Sequence, residues 1–252
     1  MPLSFSSRVP VFDANVGVGH RHDRRYPFDS PDQLCEEMAR HGVSRALVYS
    51  VQGELISPTQ GNELIEAWTD GNATLVPQLV AGSDPGSLSQ LKALHQDGRV
   101  TSVRLHNTTE CRLPFVSWIY GDLLAWLSAE NIPLWISLAD TPPTEIVDTL
   151  SGFPKLTVVL LGAHYTHSTM IYPMMRAVSG AYLELSRYEN IRGIEKLLQE
   201  FGAKRLLYGS FFPRYAMGPM LFALSRVEMP DEDLEGICAA NLDGILGQIG
   251  QP

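Results

Sequence analysis

The chain has 252 residues, 44% hydrophobic and 19% charged, with a formal net charge of −9. That is the balance of a folded globular chain with one large core, and the acidic excess argues against nucleic acid or an anionic membrane surface as partner. No apolar run approaches the ~18 residues that a membrane span needs, and Met1 to Pro10 lacks the basic-then-apolar layout of a secretion signal. Cys35, Cys111 and Cys238 are too few and too far apart for a disulfide framework or a zinc knuckle. A cytoplasmic setting is therefore expected, with Cys35 and Cys238 as small core residues.

In chain order, β-rich runs alternate with helical ones. Strands are expected at Val11–Asn15, Arg45–Ser50, Thr74–Leu79, Thr101–His106, Pro133–Leu138, Leu156–Leu161, Ala181–Ser186 and Arg205–Ser210. Runs such as LTVVLL are apolar throughout, as in strands covered on both faces. Helices fill the gaps. Ser30-Pro31-Asp32-Gln33 reads as a cap, a proline at the first helical position and a glutamine three residues after the cap; Gly42 ends that helix. A similar stop falls at Gly98. Asn190 is expected to cap a helix ending at Gly202, and Pro230-Asp231 opens the last one. His41 and His95 lie near helix C-termini, where the dipole favours a cation. Eight strands, each followed by a helix, imply an α/β fold with a parallel sheet closed into a (β/α)₈ TIM barrel, one domain over residues 1–252. An open doubly wound sheet is the alternative, but Gly17 and Gly19 alone make no dinucleotide fingerprint.

In such barrels the reacting groups stand at the C-terminal strand ends. The rule selects Asn15 and the segment Gly19-His20-Arg21-His22, then Tyr49, Arg104, His106, Ser137, Asp140 and His164, with Tyr165 and His167 beyond. Further along it selects Glu184, Ser186, Arg187, Tyr188, Ser210, Phe211 and Arg214.

With these positions marked, the sequence resembles the amidohydrolase superfamily, the amidohydrolase-related branch of metal-dependent hydrolases with TIM-barrel folds. The clearest stretch is Gly202-Ala203-Lys204-Arg205-Leu206-Leu207-Tyr208-Gly209-Ser210-Phe211-Phe212-Pro213, similar to that family's Arg, two apolar residues, then Gly-Ser-Asp-x-Pro. Asn241-Leu242-Asp243-Gly244-Ile245-Leu246 resembles its closing helix. Phe12-Asp13-Ala14-Asn15-Val16-Gly17 aligns with its Asp-x-His-x-His strand, and Leu161-Gly162-Ala163-His164 with its strand-six element. The resemblance implies a barrel hydrolase with a divalent metal, and the departures imply that most of its ligands are gone. Asn15 and Gly17 replace two histidines, Ser137 a third, and Phe211 an aspartate; only His164 remains. One histidine cannot hold a catalytic zinc, which wants about three protein ligands.

Three site readings follow. His20, His22 and His164 would form a substitute site for zinc or another divalent metal, against the basic loop formed by Arg21, Arg24 and Arg25. His20, Arg24, Arg104 and Arg187 would converge as a clamp for an anionic or carboxylate-bearing molecule, unless Arg104 pairs with Glu184 or Asp13. Without a cofactor, His164 would act as general base with Glu184 as its partner, while Asn15, His20, Tyr49, Arg104, His106, Arg187, Tyr188, Ser210 and Phe211 bind the substrate; Tyr49, Tyr165 or Tyr188 would polarise a carbonyl. The expected activity is a hydrolase or lyase on a small carboxylate, with a silent barrel that binds a metabolite or a protein as the alternative. Phe115, Trp118, Tyr120 and Trp126 read as helix packing, or else as a binding wall or homodimer contact. Met170, Met174 and Met175 read as packing residues.

Overall fold

The fold is seen in a computed structural model, which describes residues 6–20, 25 and 28–249. Among the described residues, nine parallel strand segments form two runs. The first contains β1 (Phe12–Val18), β2 (Arg45–Ser50) and β3 (Leu75–Pro77). The second contains β4 (Leu79–Ala81), β5 (Val103–Leu105), β6 (Leu134–Ser137), β7 (Val158–Leu161), β8 (Ala181–Glu184) and β9 (Leu206–Leu207).

Only Gln78 separates β3 from β4. Its N–H donates to the Val48 carbonyl on one side, while Leu79 N–H donates to Ser102 on the other. The expected third strand is thus one strand whose ladder breaks at a single residue. The seam between β9 and β1 is bridged in the same way. Ala14 N–H donates to Tyr208 O at 3.1 Å, and Gly17 N–H to Phe212 O at 2.7 Å. These bonds close the sheet into the eight-stranded α/β barrel expected from the sequence, with its strands in chain order.

Helix starts follow local chemistry. Ser30 accepts from Gln33 N–H and Asp84 from Ser87 N–H, each with proline at the start of the helix that follows. Gly42, Gly98 and Gly202 take φ near +70° at the expected stops. Asn190 differs from expectation. Its side chain does not cap; its carbonyl accepts from Gly193 N–H, and Arg192 precedes helix Gly193–Phe201 in a left-handed conformation (φ 54°).

Leu47, Trp135, Val159 and Leu207 fill the barrel interior and pack with Leu242 and Ile245 of the closing helix. The Trp135 indole N–H crosses from β6 to the Ala14 carbonyl at 3.2 Å. Outward-facing strand residues such as Val48, Val103, Val158 and Leu183 meet the helices, which explains the continuous apolar runs. Cys238 is buried and Cys35 half-buried, and both are free thiols. Phe115 and Tyr120 pack into the core as expected, and Trp126 packs partly against it, edge-on to His95. Met174 and Met175 are also buried, but Met170 is exposed. Trp118 departs from the packing expectation, standing 83% exposed. Among the described residues no helix is long and apolar enough to cross a membrane.

Candidate functional site

The upper barrel holds a buried polar network instead of more hydrocarbon. A register shift between Asp13 and Val16 turns Asn15 to the interior. There its carboxamide donates to Glu184 Oε2 at 3.2 Å and accepts from Arg104 Nη1 at 3.1 Å. Arg104 is 1% exposed. Its Nε donates to Glu54 Oε1 at 2.6 Å, and its guanidinium lies 3.6 Å from the centre of the Tyr49 ring. Burial is the largest single effect and opposes the charge on Arg104, but Glu54, Tyr49 and Asp140 together outweigh it, so its pKa rises above the ordinary value. Arg104 Nη2 has no partner among the described residues, leaving one buried donor for a ligand or an ordered water.

Glu184 is fully buried on β8. It accepts from Ser186 N–H at 2.7 Å, Ser186 Oγ at 2.9 Å and Gly162 N–H at 3.5 Å, besides Asn15. Burial raises its pKa despite these donors. Gly209 is required by this packing, because a Cβ there would land on Glu184 Oε1. Asp13 lies deeper, accepting from Ser210 N–H at 2.9 Å and Asn15 N–H at 3.0 Å. Burial pushes its pKa up to about 7; those hydrogen bonds oppose the rise, and the nearby Glu184 charge adds to it.

Above the network is a cavity of about 170 Å³ lined by Tyr49, Glu54, Asn107, Asp140, Phe211 and Arg214, among others. Glu54 is thus shared, with one oxygen on Arg104 and the residue at the cavity wall. It was not among the residues marked in the sequence. It sits on the short helix Val51–Leu55 directly after β2, and the available signal was a carboxylate among apolar neighbours in a strand-to-helix connection. Asn107 was missed as well.

The other expected residues are dispersed. Ser137 donates to Asp140 Oδ2 at 2.6 Å, and Ser210 Oγ accepts from Phe212 N–H at 3.0 Å. His106 lies 2.6 Å from the Tyr120 hydroxyl in a neighbouring cavity, its pKa lowered by burial. Tyr188 is buried. His20 Nε2 lies 3.0 Å from Asp29, and His41 and His95 pair with Glu37 and Glu130. Arg21, His22 and Arg24 lie outside the described residues. The expected His164–Glu184 hydrogen bond is not made. His164 stands half-buried on the rim beside Thr166 (3.3 Å) and the Tyr165 ring, while Glu184 bonds Asn15, Ser186 and Gly162. Of the expected four-cation clamp, Arg104 is enclosed with Glu54 and His20 faces Asp29, while Arg24 lies outside the described residues. The expected alternative partners of Arg104, Glu184 and Asp13, are likewise replaced by Glu54.

The barrel mouth does not fit the metal that the family resemblance implies. At position 17 a Cβ would come within 2.9 Å of Val51 Cγ2 and 3.1 Å of the Tyr49 hydroxyl, so a histidine there would have to displace those side chains. Asn15 is held by a carboxyl and a guanidinium. The Phe211 ring faces Gly162, with Cε1 3.7 Å from where a Cβ would be. Phe211 also takes φ 57°, a left-handed conformation that bulky side chains rarely adopt. Among the described residues no group of three His, Cys, Asp or Glu side chains could hold an ion.

No family model and no curated protein sequence matches the chain. Solved structures do. An uncharacterized TIM-barrel protein from Bordetella bronchiseptica is 17% identical, with TM-score 0.77 over 96% of this chain and 100% of its own. A dihydroxybenzoic acid decarboxylase from Polaromonas sp. JS666, with bound manganese and the inhibitor 2-nitroresorcinol, is 11% identical, with TM-score 0.77 over 95% and 97%. Amidohydrolase 2 from Bifidobacterium longum subsp. infantis is 14% identical, with TM-score 0.65 over 95% and 99%. The TIM-barrel fold expected from the sequence is therefore the fold this chain has.

Proposed function

We propose that the chain is a hydrolase or lyase acting on a small carboxylate-bearing molecule at the barrel mouth, by chemistry that uses no divalent metal. One observation carries the reading: a single cavity brings together the Glu54 carboxylate, fixed from behind by Arg104, and the Arg214 guanidinium, which makes no ion pair with any described residue. A guanidinium fork suits a carboxylate, and a positioned carboxylate suits proton transfer. The likeness to a dihydroxybenzoic acid decarboxylase and an amidohydrolase supports this substrate class at the level of fold.

In this reading Arg214 binds the substrate carboxylate, with Phe211 and Tyr49 as apolar walls. Glu54 is the base. In hydrolysis it takes a proton from the water that adds to the carbonyl and returns that proton to the leaving group as the bond breaks. Arg104 and Asn15 position Glu54, and Glu184 positions Asn15. His164 is a rim group.

The test is a panel of small carboxylates bearing amide, ester or β-keto groups, assayed with wild type, Glu54→Gln and Arg214→Ala. A substrate should emerge for which Glu54→Gln lowers kcat about a hundredfold or more, while Arg214→Ala raises KM more than it lowers kcat. Equal turnover by wild type and Glu54→Gln would exclude Glu54 as the base. A second reading, a silent barrel that binds a metabolite or protein, is favoured by the lack of any histidine among the cavity's described lining residues. It predicts binding with no turnover across the panel.

A further inference from the structure

A base that draws a proton from water leaves negative charge growing on the carbonyl oxygen under attack, and that oxygen needs a hydrogen-bond donor. The Tyr49 hydroxyl, which the sequence nominated to polarise a carbonyl, lies against β1, 3.1 Å from where a Cβ on Gly17 would stand. Asn107, just after β5, is better placed. It is 9% exposed and lines the same cavity as Glu54 and Arg214.

Two local rules fix its position. Glu54 lies near the end of the short helix Val51–Leu55, and four residues on stands Pro58, which has no N–H to give its carbonyl. That carbonyl accepts instead from Asn107 N–H at 2.8 Å, so the backbones of the acid and the amide are pinned together. Asn107 also opens a turn. Its Oδ1 accepts from Glu110 N–H at 2.8 Å, and its carbonyl from Cys111 N–H at 3.1 Å. Only the amide oxygen can meet an N–H, so the carboxamide is not free to flip. Its Nδ2 group is left over, with no partner among the described residues. An asparagine on an open surface would give those hydrogens to bulk water. At this buried wall they gain most from an acceptor that a ligand brings.

The ring adds a direction. With β3 and β4 counted as one strand, β5 is the fourth of eight and β9 the eighth, so the two stand across the barrel from each other. Asn107 and Arg214 come to the cavity on loops rooted at opposite sides, and Glu54 comes from the connection after β2, midway between them.

We propose that Asn107 Nδ2 is the donor to the substrate's reacting carbonyl oxygen. As the water oxygen bonds to the carbonyl carbon, Glu54 takes the water's proton and the π electron pair moves onto the oxygen that faces Asn107. The pair returns as the C–N or C–O bond breaks, and the leaving group departs with the proton from Glu54. The reacting carbonyl is then set apart from the carboxylate that Arg214 holds, as in a half-amide or half-ester of a dicarboxylic acid. This inference rests on the reading of Glu54 and Arg214 above and supplies the third group which that reading needs.

The donor can be separated from the turn cap, because Asn107→Asp and Asn107→Ser keep an oxygen for the Glu110 N–H and remove the amide hydrogens. Calorimetric titration of the full chain uses two pairs of ligands that differ by one carbonyl: 4-oxopentanoate against pentanoate, and 5-oxohexanoate against hexanoate. Wild type should bind the ketone of at least one pair about fivefold tighter than its saturated partner, the effect of one net hydrogen bond. In both variants that ratio should fall to one or below, while Asn107→Ser leaves affinity for the saturated acid unchanged. On a substrate from the panel above, Asn107→Ser should lower kcat about a hundredfold with little change in KM. Ketones that bind wild type no tighter than the saturated acids would overturn the role of Asn107 and leave the carboxylate reading standing. So would a ratio unchanged in both variants, or a kcat that survives them. Equal losses for ketone and saturated acid would mark Asn107 as a turn cap alone and overturn the proposal too. Ketone discrimination that needs Asn107, with no ligand weakened by Arg214→Ala, would keep the donor and sink the assignment of Arg214. If none of the four ligands binds, both fall. Melting curves of the variants separate loss of binding from loss of fold.

Discussion

At the scale of single residues, the barrel mouth is governed by buried groups whose charge depends on their neighbours. Asp13 is the clearest case, because its pKa stands at about 7 in the folded chain against 3.8 for a free carboxyl. The folded state therefore keeps a proton that the unfolded state releases between those values. The sign follows from linkage: Asp13 makes the protein lose stability as pH rises from about 4 to about 7, with no further loss from this group above that. Asp13→Asn keeps an oxygen for the Ser210 and Asn15 N–H groups and removes the titration. Denaturant unfolding across this range should show the variant gaining on wild type with rising pH, on the order of 1–4 kcal/mol in all. A constant difference from pH 4 to 8 would mean that Asp13 is already ionised at low pH. Glu184 shifts in the same direction by burial, so wild type alone would show the sum of both groups.

At the scale of elements, the strands and most helix ends were legible because their signals are local: apolar runs for covered strands, Ser30 and Asp84 for caps, Gly42 and Gly98 for stops. Asn190 misled because a left-handed Arg192 begins the helix, which no residue preference announces. The site was less legible. Asn15, Tyr49, Arg104, Glu184 and Phe211 were all marked by their strand ends, but Arg104's partner was not, since Glu54 lies on a connection whose path only the packed structure fixes. That path depends on two glycines. Helices Val51–Leu55 and Pro58–Thr69 approach so closely that a Cβ on Gly61 would overlap Gly53 Cα. Gly61→Ala must push the short helix, and Glu54 with it, off its position. A stability loss of about 1–3 kcal/mol is expected from such overpacking, with a fall in turnover larger than that loss explains, read from melting curves and from kcat on the substrate found. Unchanged kcat in a folded Gly61→Ala protein would show that Glu54 tolerates the displacement.

At the scale of the whole molecule, the closed sheet places groups from β1, β5 and β8 and the connection after β2 in one network, although they lie far apart in sequence. This is why the sequence indicated a missing ligand set but not what replaced it: the contacts are set by ring closure. If the mouth does not bind divalent ions, manganese or zinc added to protein purified without an affinity tag should leave its melting temperature unchanged. A site filled to a hundred times its Kd would instead add about 2.7 kcal/mol, a rise of a few degrees that a scan detects. The guanidinium of Arg104, stacked beneath Tyr49, is covalently part of the chain. Its positive charge arrives with translation, cannot be stripped by a chelator, and requires no supply of trace elements. A catalyst built around it would work as well in a metal-starved cell as in a replete one.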